Sequence, residues 1–158
     1  MKILKHLPNL LTLLNLLAGT IAVIYAVQNE LITAVILVLI GILFDFFDGL
    51  AARLLKVTGE LGKQLDSLAD VVTSGVVPGI IMYQILKEDA ITVSINKTSS
   101  SWDDSSFEFL PYLGLLITLA AAYRLAKFNI DDKQDNSFIG LPTPAAALVV
   151  ISLPLIVT

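Results

Sequence analysis

Five apolar runs, each long enough to cross the hydrocarbon core of a bilayer, dominate this chain. They fall near residues 8–27, 31–55, 65–86, 110–129 and 140–158. A spanning helix needs about 17–25 residues. Inside lipid the backbone N–H and C=O groups find no water, so a span must be a helix or part of a closed barrel. Barrel strands alternate apolar and polar side chains, and these runs do not. The expectation is an all-α, polytopic transmembrane helix bundle. Composition agrees: 56% of the residues are hydrophobic and 15% charged, against ~45–50% and ~25% in soluble domains.

The chain reads as one membrane domain over 1–158, without internal repeats. Pro8 suits the first turn of helix 1, where a missing N–H costs little. Gln28-Asn29-Glu30 predicts a tight turn, and Val57 to Leu61, with Gly59, a short one. Helix 3 is expected from near Gly62 to Leu86, kinked where Pro78 stands beside Gly75 and Gly79. Polar loops are expected over 87–109 and from Asn129 to Gly140, after which Pro142 and Pro144 open helix 5. An odd number of spans puts the two termini on opposite sides, and the chain reads as truncated after its fifth helix.

The chain has no cysteine, which excludes disulfides, thiolate metal sites and cysteine catalysis. The one histidine, His6, reads as a solvated or interfacial side chain. Lys2 and Lys5 before an apolar run resemble an export signal. Asn9 and Asn15 within the run, and the lack of a small-residue cleavage site, make it a retained helix. If the spans alternate, Lys2, Lys5, Arg53, Lys56, Lys63, Arg124, Lys127 and Lys133 share one side, and Lys87 and Lys97 the other. The cation-rich side is then cytoplasmic, with the N-terminus. Asn96-Lys97-Thr98 fits a glycosylation sequon, a match that chance explains equally well. No nucleic-acid partner is expected.

Chemistry concentrates at the cytoplasmic ends of helices 2 and 3. Asp45 and Asp48 are three apart and Asp66 and Asp70 four apart, so each pair shares a helix face. The short connection makes the two helices antiparallel neighbours, and the four carboxylates converge. Ionised carboxylates at membrane depth are costly unless paired or ligated, and Arg53 stands near them on helix 2. Divalent cations are the simplest compensation. All-oxygen ligands favour Mg²⁺, Mn²⁺ or Ca²⁺ over zinc or copper. Two such ions suit chemistry on a diphosphate, whose charge they neutralise. Gly49 and Ala52 permit either close helix packing or close approach of a flat ligand.

The segment Asp45-Phe46-Phe47-Asp48-Gly49-Leu50-Ala51-Ala52-Arg53, followed by Gly62, Asp66 and Asp70, fits D-x2-D-G-x2-A-R-x8-G-x3-D-x3-D throughout. This resembles the signature of the CDP-alcohol phosphotransferase family. The resemblance implies a six-helix core, usually a homodimer, with a cytoplasm-facing pocket and two divalent cations, Mg²⁺ or Mn²⁺. It implies that Asp45, Asp48 and Asp66 ligate metal, and that Asp70 both touches metal and acts as the base. Gly49, Ala52 and Arg53 would line the CDP site. Pro8-Asn9-Leu10-Leu11-Thr12 resembles the helix 1 segment that helps bind the nucleotide, which would give Asn9 and Thr12 a part in holding CDP-diacylglycerol. A polar helix start capped by Asn9 explains the same residues.

Three further segments resemble phosphatidylserine synthases, a branch of that family: Gly62 to Val72, Tyr123 to Asn129, and Phe138 to Ala146. The resemblance implies CDP-diacylglycerol and L-serine as substrates, in the cytoplasmic membrane of a bacterium or archaeon. Arg124 and Lys127, at the cytoplasmic end of helix 4, could bind the serine carboxylate. They could equally be anchors that snorkel to lipid phosphate. Gly59 stands where such synthases more often show a hydroxyl residue, with Thr58 beside it. Three readings compete. A relative accepting glycerol phosphate or inositol phosphate would want a larger cluster of cations. An intramembrane prenyltransferase would carry its aspartates on well-separated helices. A cation transporter would place charge near the bilayer midplane on discontinuous helices.

Overall fold

The computed structural model describes residues 6–57, 59–96, 109–130 and 143–157, with the side chains of 89–96 and 157 excepted. All regular structure among them is helical: α1 (Leu7–Val27), α2 (Leu31–Leu55), α3 (Glu60–Asp70), α4 (Val77–Asn96), α5 (Leu116–Ile130), α6 (Thr143–Ser152) and α7 (Pro154–Val157). A π-helical segment, Val71–Val76, joins α3 to α4, and a 3₁₀ segment, Leu110–Leu115, leads into α5. Four runs are long and apolar enough to cross a membrane: Leu7–Val27, Leu31–Leu55, Glu60–Glu88 and Leu110–Ile130.

The buried faces are made of small residues. Ala18, Gly19, Ala22 and Ala26 of α1 are buried; Ala22 and Ala26 meet Ala34, Val35 and Val38 of α2, with Val77 and Ile81 of α4 and Ile151 of α6 completing the core. The large residues Leu10, Leu13, Leu17 and Ile24 of α1 point outward. In water this arrangement would be inverted. In lipid it is expected, because apolar side chains gain nothing by hiding from hydrocarbon and small ones let backbones approach.

Helix ends follow local chemistry. Pro8 lies in the first turn of α1. Asn29 makes the turn to α2 at φ 65, and Lys56 ends α2 at φ 52. Lys56 N–H bonds to the Arg53 carbonyl at 3.2 Å and Val57 N–H to that of Ala52 at 3.1 Å, so a left-handed residue closes the helix. Gly59 is extended (φ -140) and precedes α3.

Helix 3 departs from expectation at both ends. It begins at Glu60, and it runs on through Lys87 and Glu88 to Asn96, so the first part of the expected 87–109 loop is helix. No glycine or proline occurs between Ile80 and Asn96; polar residues end the apolar span without ending the helix. Gln84 Nε2 donates to the carbonyls of Ala26 (3.1 Å) and Val27 (2.9 Å), and Asn29 Nδ2 donates to Glu88 Oε1 at 2.6 Å. These bonds tie α4 to the α1–α2 turn. Where a kink was expected, the helix carries a π segment that includes Gly75 and ends two residues before Pro78, an irregularity of the ladder rather than a break at the proline.

In the fifth apolar run the described helix covers Thr143–Ile156 and is interrupted at Leu153, because Pro154 cannot continue α6. Helix 4 starts as 3₁₀ at Leu110, with Pro111 in its first turn. Thr58, Lys97 and Thr98 of the sequon, the loop beyond Ile130 and the Phe138–Pro142 stretch lie outside the described residues.

Candidate active site

The site forms where the end of α2 meets the start of α3, with the first half of α1 laid against both. Asp45, Asp48 and Asp66 each bring a carboxylate oxygen within 4.8 Å of the others. Asp48 is buried, and Asp45, Asp66 and Asp70 are half-buried. Asp45 and Asp66 face each other at hydrogen-bonding range. Asp70 stands beside this trio, one turn further along α3, close enough to feel the charges of Asp66 and Asp48. Among the described residues, the charged neighbours acting on Asp45, Asp48 and Asp70 are other aspartates. Uncompensated negative charge on an all-oxygen donor set fits a hard divalent cation.

Helix α1 supplies the polar wall. Thr12 Oγ1 lies 2.6 Å from Asp48 Oδ2 and 3.0 Å from the Pro8 carbonyl. The hydroxyl has one proton, and the shorter contact to a charged acceptor takes it. Asn9 Oδ1 would lie 3.3 Å from a Cβ added at Gly62, so α1 approaches the start of α3 closely at that signature position. Deeper in the bundle, Thr73 Oγ1 donates to Asn15 Oδ1 at 2.9 Å. On the far side, Asn129 Nδ2 donates to Ser67 Oγ at 2.8 Å, and Ser67 Oγ donates to the Lys63 carbonyl at 3.0 Å. These bonds pin the end of α5 to α3, next to Asp66.

The structure therefore brings Asp45, Asp48, Asp66, Asp70, Asn9 and Thr12 together. Thr12 reaches a carboxylate as well as lying where nucleotide contact was expected. Gly49 is exposed, and an added Cβ would meet nothing within 4 Å. Among the described residues no helix packs against it. Ala52 is half-buried and Arg53 exposed at the same end of α2. Arg124 is half-buried and Lys127 exposed on α5, the helix that Asn129 ties to this end of the bundle. Sequence reasoning missed Asn15, Thr73, Ser67 and Asn129 as parts of the network. One signal was available: Asn9, Thr12 and Asn15 recur every third position in an otherwise apolar helix.

With this geometry in place, comparison with known proteins decides the family. The family model for CDP-alcohol phosphatidyltransferase matches residues 5–158. The chain belongs to this family. Its members transfer phosphatidyl groups from CDP-alcohols. The chain is 31% identical over 153 residues to a CDP-diacylglycerol–serine O-phosphatidyltransferase of Bacillus subtilis, covering 94% of this chain and 75% of that relative. It is 35% identical over 152 residues to an archaetidylserine synthase of Methanothermobacter thermautotrophicus, covering 92% and 56%. To a CDP-diacylglycerol–serine O-phosphatidyltransferase of Helicobacter pylori it is 33% identical over 146 residues, covering 91% and 55%. The chain thus spans three quarters of the Bacillus relative and about half of the other two. No solved structure matches it.

Proposed function

We propose that this chain transfers the phosphatidyl group of CDP-diacylglycerol to the hydroxyl of L-serine, giving phosphatidylserine and CMP. The observation that carries the reading is the trio Asp45, Asp48 and Asp66 with Asp70 beside it, on a hairpin that fits all eight signature positions. The names of the relatives support serine as the acceptor.

Asp45, Asp48 and Asp66, with Asp70 at their edge, would hold two divalent cations, Mg²⁺ or Mn²⁺. When bound, these would neutralise the diphosphate and stabilise the attacking serine oxygen and the leaving phosphate oxygen. Thr12 fixes the carboxylate of Asp48. The open surface at Gly49 admits the nucleotide, with Ala52 and Arg53 along the same helix and Asn9 and Thr12 opposite. Arg124 and Lys127 receive the serine carboxylate. Asp70 takes the serine hydroxyl proton as the serine oxygen attacks the phosphorus that carries the diacylglycerol. One P–O bond forms, the bond to the CMP phosphate oxygen breaks, and CMP leaves. The acyl chains lie among the exposed apolar side chains, in the bilayer.

The protein sits in a bacterial or archaeal cytoplasmic membrane, as a homodimer, with its N-terminus and active site facing the cytoplasm. The charge distribution supports that orientation. The test is CMP release from CDP-diacylglycerol with serine, glycerol phosphate or inositol phosphate as acceptor. Serine-dependent release supports the proposal, and release with a phosphorylated acceptor alone overturns it. The archaetidylserine synthase among the relatives favours adding an arm with CDP-archaeol, which tests the lipid and leaves the acceptor fixed.

A further inference from the structure

Asn15 is completely buried, and its Nδ2 is the buried side-chain atom without a hydrogen-bond partner among the described residues. A donor left unpaired in the interior of a membrane bundle is costly, and native proteins rarely keep one without a use. The other end of the amide is firmly held. Thr73 Oγ1 donates to Oδ1 at 2.9 Å. A Cβ at Gly41 would come within 2.8 Å of the same oxygen, so the amide packs closely against α2 at a place that a glycine leaves open. Thr73 stands three residues beyond Asp70, on the same side of that helix, so the amide that Thr73 holds lies toward the Asp70 carboxylate, which feels it. Turning the amide over would set Oδ1 against that carboxylate. The observed orientation is therefore the favourable one.

We infer that Asn15 is a positioning residue for Asp70, its Nδ2 held ready for that carboxylate by the Thr73 hydroxyl and the close approach of Gly41. Thr73 lies three residues beyond Asp70, in the π segment. One stretch of helix thus carries both the carboxylate and the group that orients its donor. Catalytic hydrogen bonds commonly tighten only in the substrate complex. A bond from Nδ2 to one Asp70 oxygen would leave the other oxygen directed at the acceptor hydroxyl. The inference rests on the proposed role of Asp70 as the base.

The experiment measures kcat and the KM for CDP-diacylglycerol, by CMP release from the full chain, in two series. Asn15→Leu removes the donor at similar volume, and Thr73→Val removes the hydroxyl that orients it. Each is expected to lower kcat about ten- to a hundredfold, the worth of one hydrogen bond to a charged group, with KM unchanged. Thr73→Ser, which keeps the hydroxyl, is expected to recover most of the loss. The deciding comparison repeats Asn15→Leu and Thr73→Val in an Asp70→Asn background, where a residue acting through Asp70 has nothing left to position. No further loss there supports the inference. The same fold-loss in both backgrounds, or equal losses for Thr73→Ser and Thr73→Val, overturns it while leaving the reading of Asp70 intact. Near-normal turnover by Asp70→Asn alone overturns that reading instead.

Discussion

Thr12→Val isolates one hydrogen bond at the centre of the site. Valine keeps the β-branched shape of a side chain that is 4% exposed, so packing is preserved. What disappears is the 2.6 Å bond to Asp48 Oδ2. The Pro8 carbonyl loses little, because within α1 it also accepts the backbone N–H one turn on. Asp48 is 6% exposed, so water does not readily replace the lost donor. A hydrogen bond to a charged group contributes about 1.5–3 kcal/mol. Partners that orient metal ligands are typically worth about 10–100-fold in metal affinity. Both routes give the same size of effect. The assay titrates Mn²⁺ or Mg²⁺ into the metal-stripped enzyme and follows CMP release. Half-maximal activation is expected at about 10–100-fold higher metal for Thr12→Val, and near the native value for Thr12→Ser. An unchanged activation constant in Thr12→Val, with Asp45→Asn still inactive, would refute the idea that Thr12 orients a metal ligand.

Three other outcomes follow from the same geometry. Chelation is expected to abolish CMP release, and Asp45→Asn or Asp66→Asn to do so permanently in a protein that still inserts and purifies; full activity in excess chelator would contradict the carboxylate trio as a metal site. Arg124→Ala should raise the serine KM about ten- to a hundredfold, the worth of a charge-assisted hydrogen bond, while the CDP-diacylglycerol KM stays put; equal changes in both would make Arg124 a diphosphate or structural residue. Gly41→Ala places a Cβ 2.8 Å from Asn15 Oδ1 and 2.9 Å from Thr73 Cγ2, and overpacking of this kind costs about 1–3 kcal/mol, so its melting temperature in detergent should fall, whereas Gly49→Ala, with open space around it, should melt like the native chain.

The sequence by itself determined the class of fold and the identity of the reactive groups. Long apolar runs leave the backbone no choice but helices in lipid, and this holds whatever the neighbours. The i, i+3 and i, i+4 spacings of Asp45, Asp48, Asp66 and Asp70 put each pair on one face by helical geometry alone, and a short turn made the faces meet. Propensity could not say where helix 3 stops, because a helix leaving the membrane ends only where a breaker or a cap ends it; α4 runs to Asn96 past charges that end only the apolar span. Tertiary structure alone decided which partners the polar α1 side chains reach. Thr12 and Asp48 are 36 residues apart, and Asn15 and Thr73 are 58 apart. Such pairs exist only because small residues, Ala18, Gly19 and Ala22 in α1 and Gly41 in α2, bring the helices close enough for short polar side chains to reach across. Periodicity marks one face of one helix; which helix that face meets is fixed by packing.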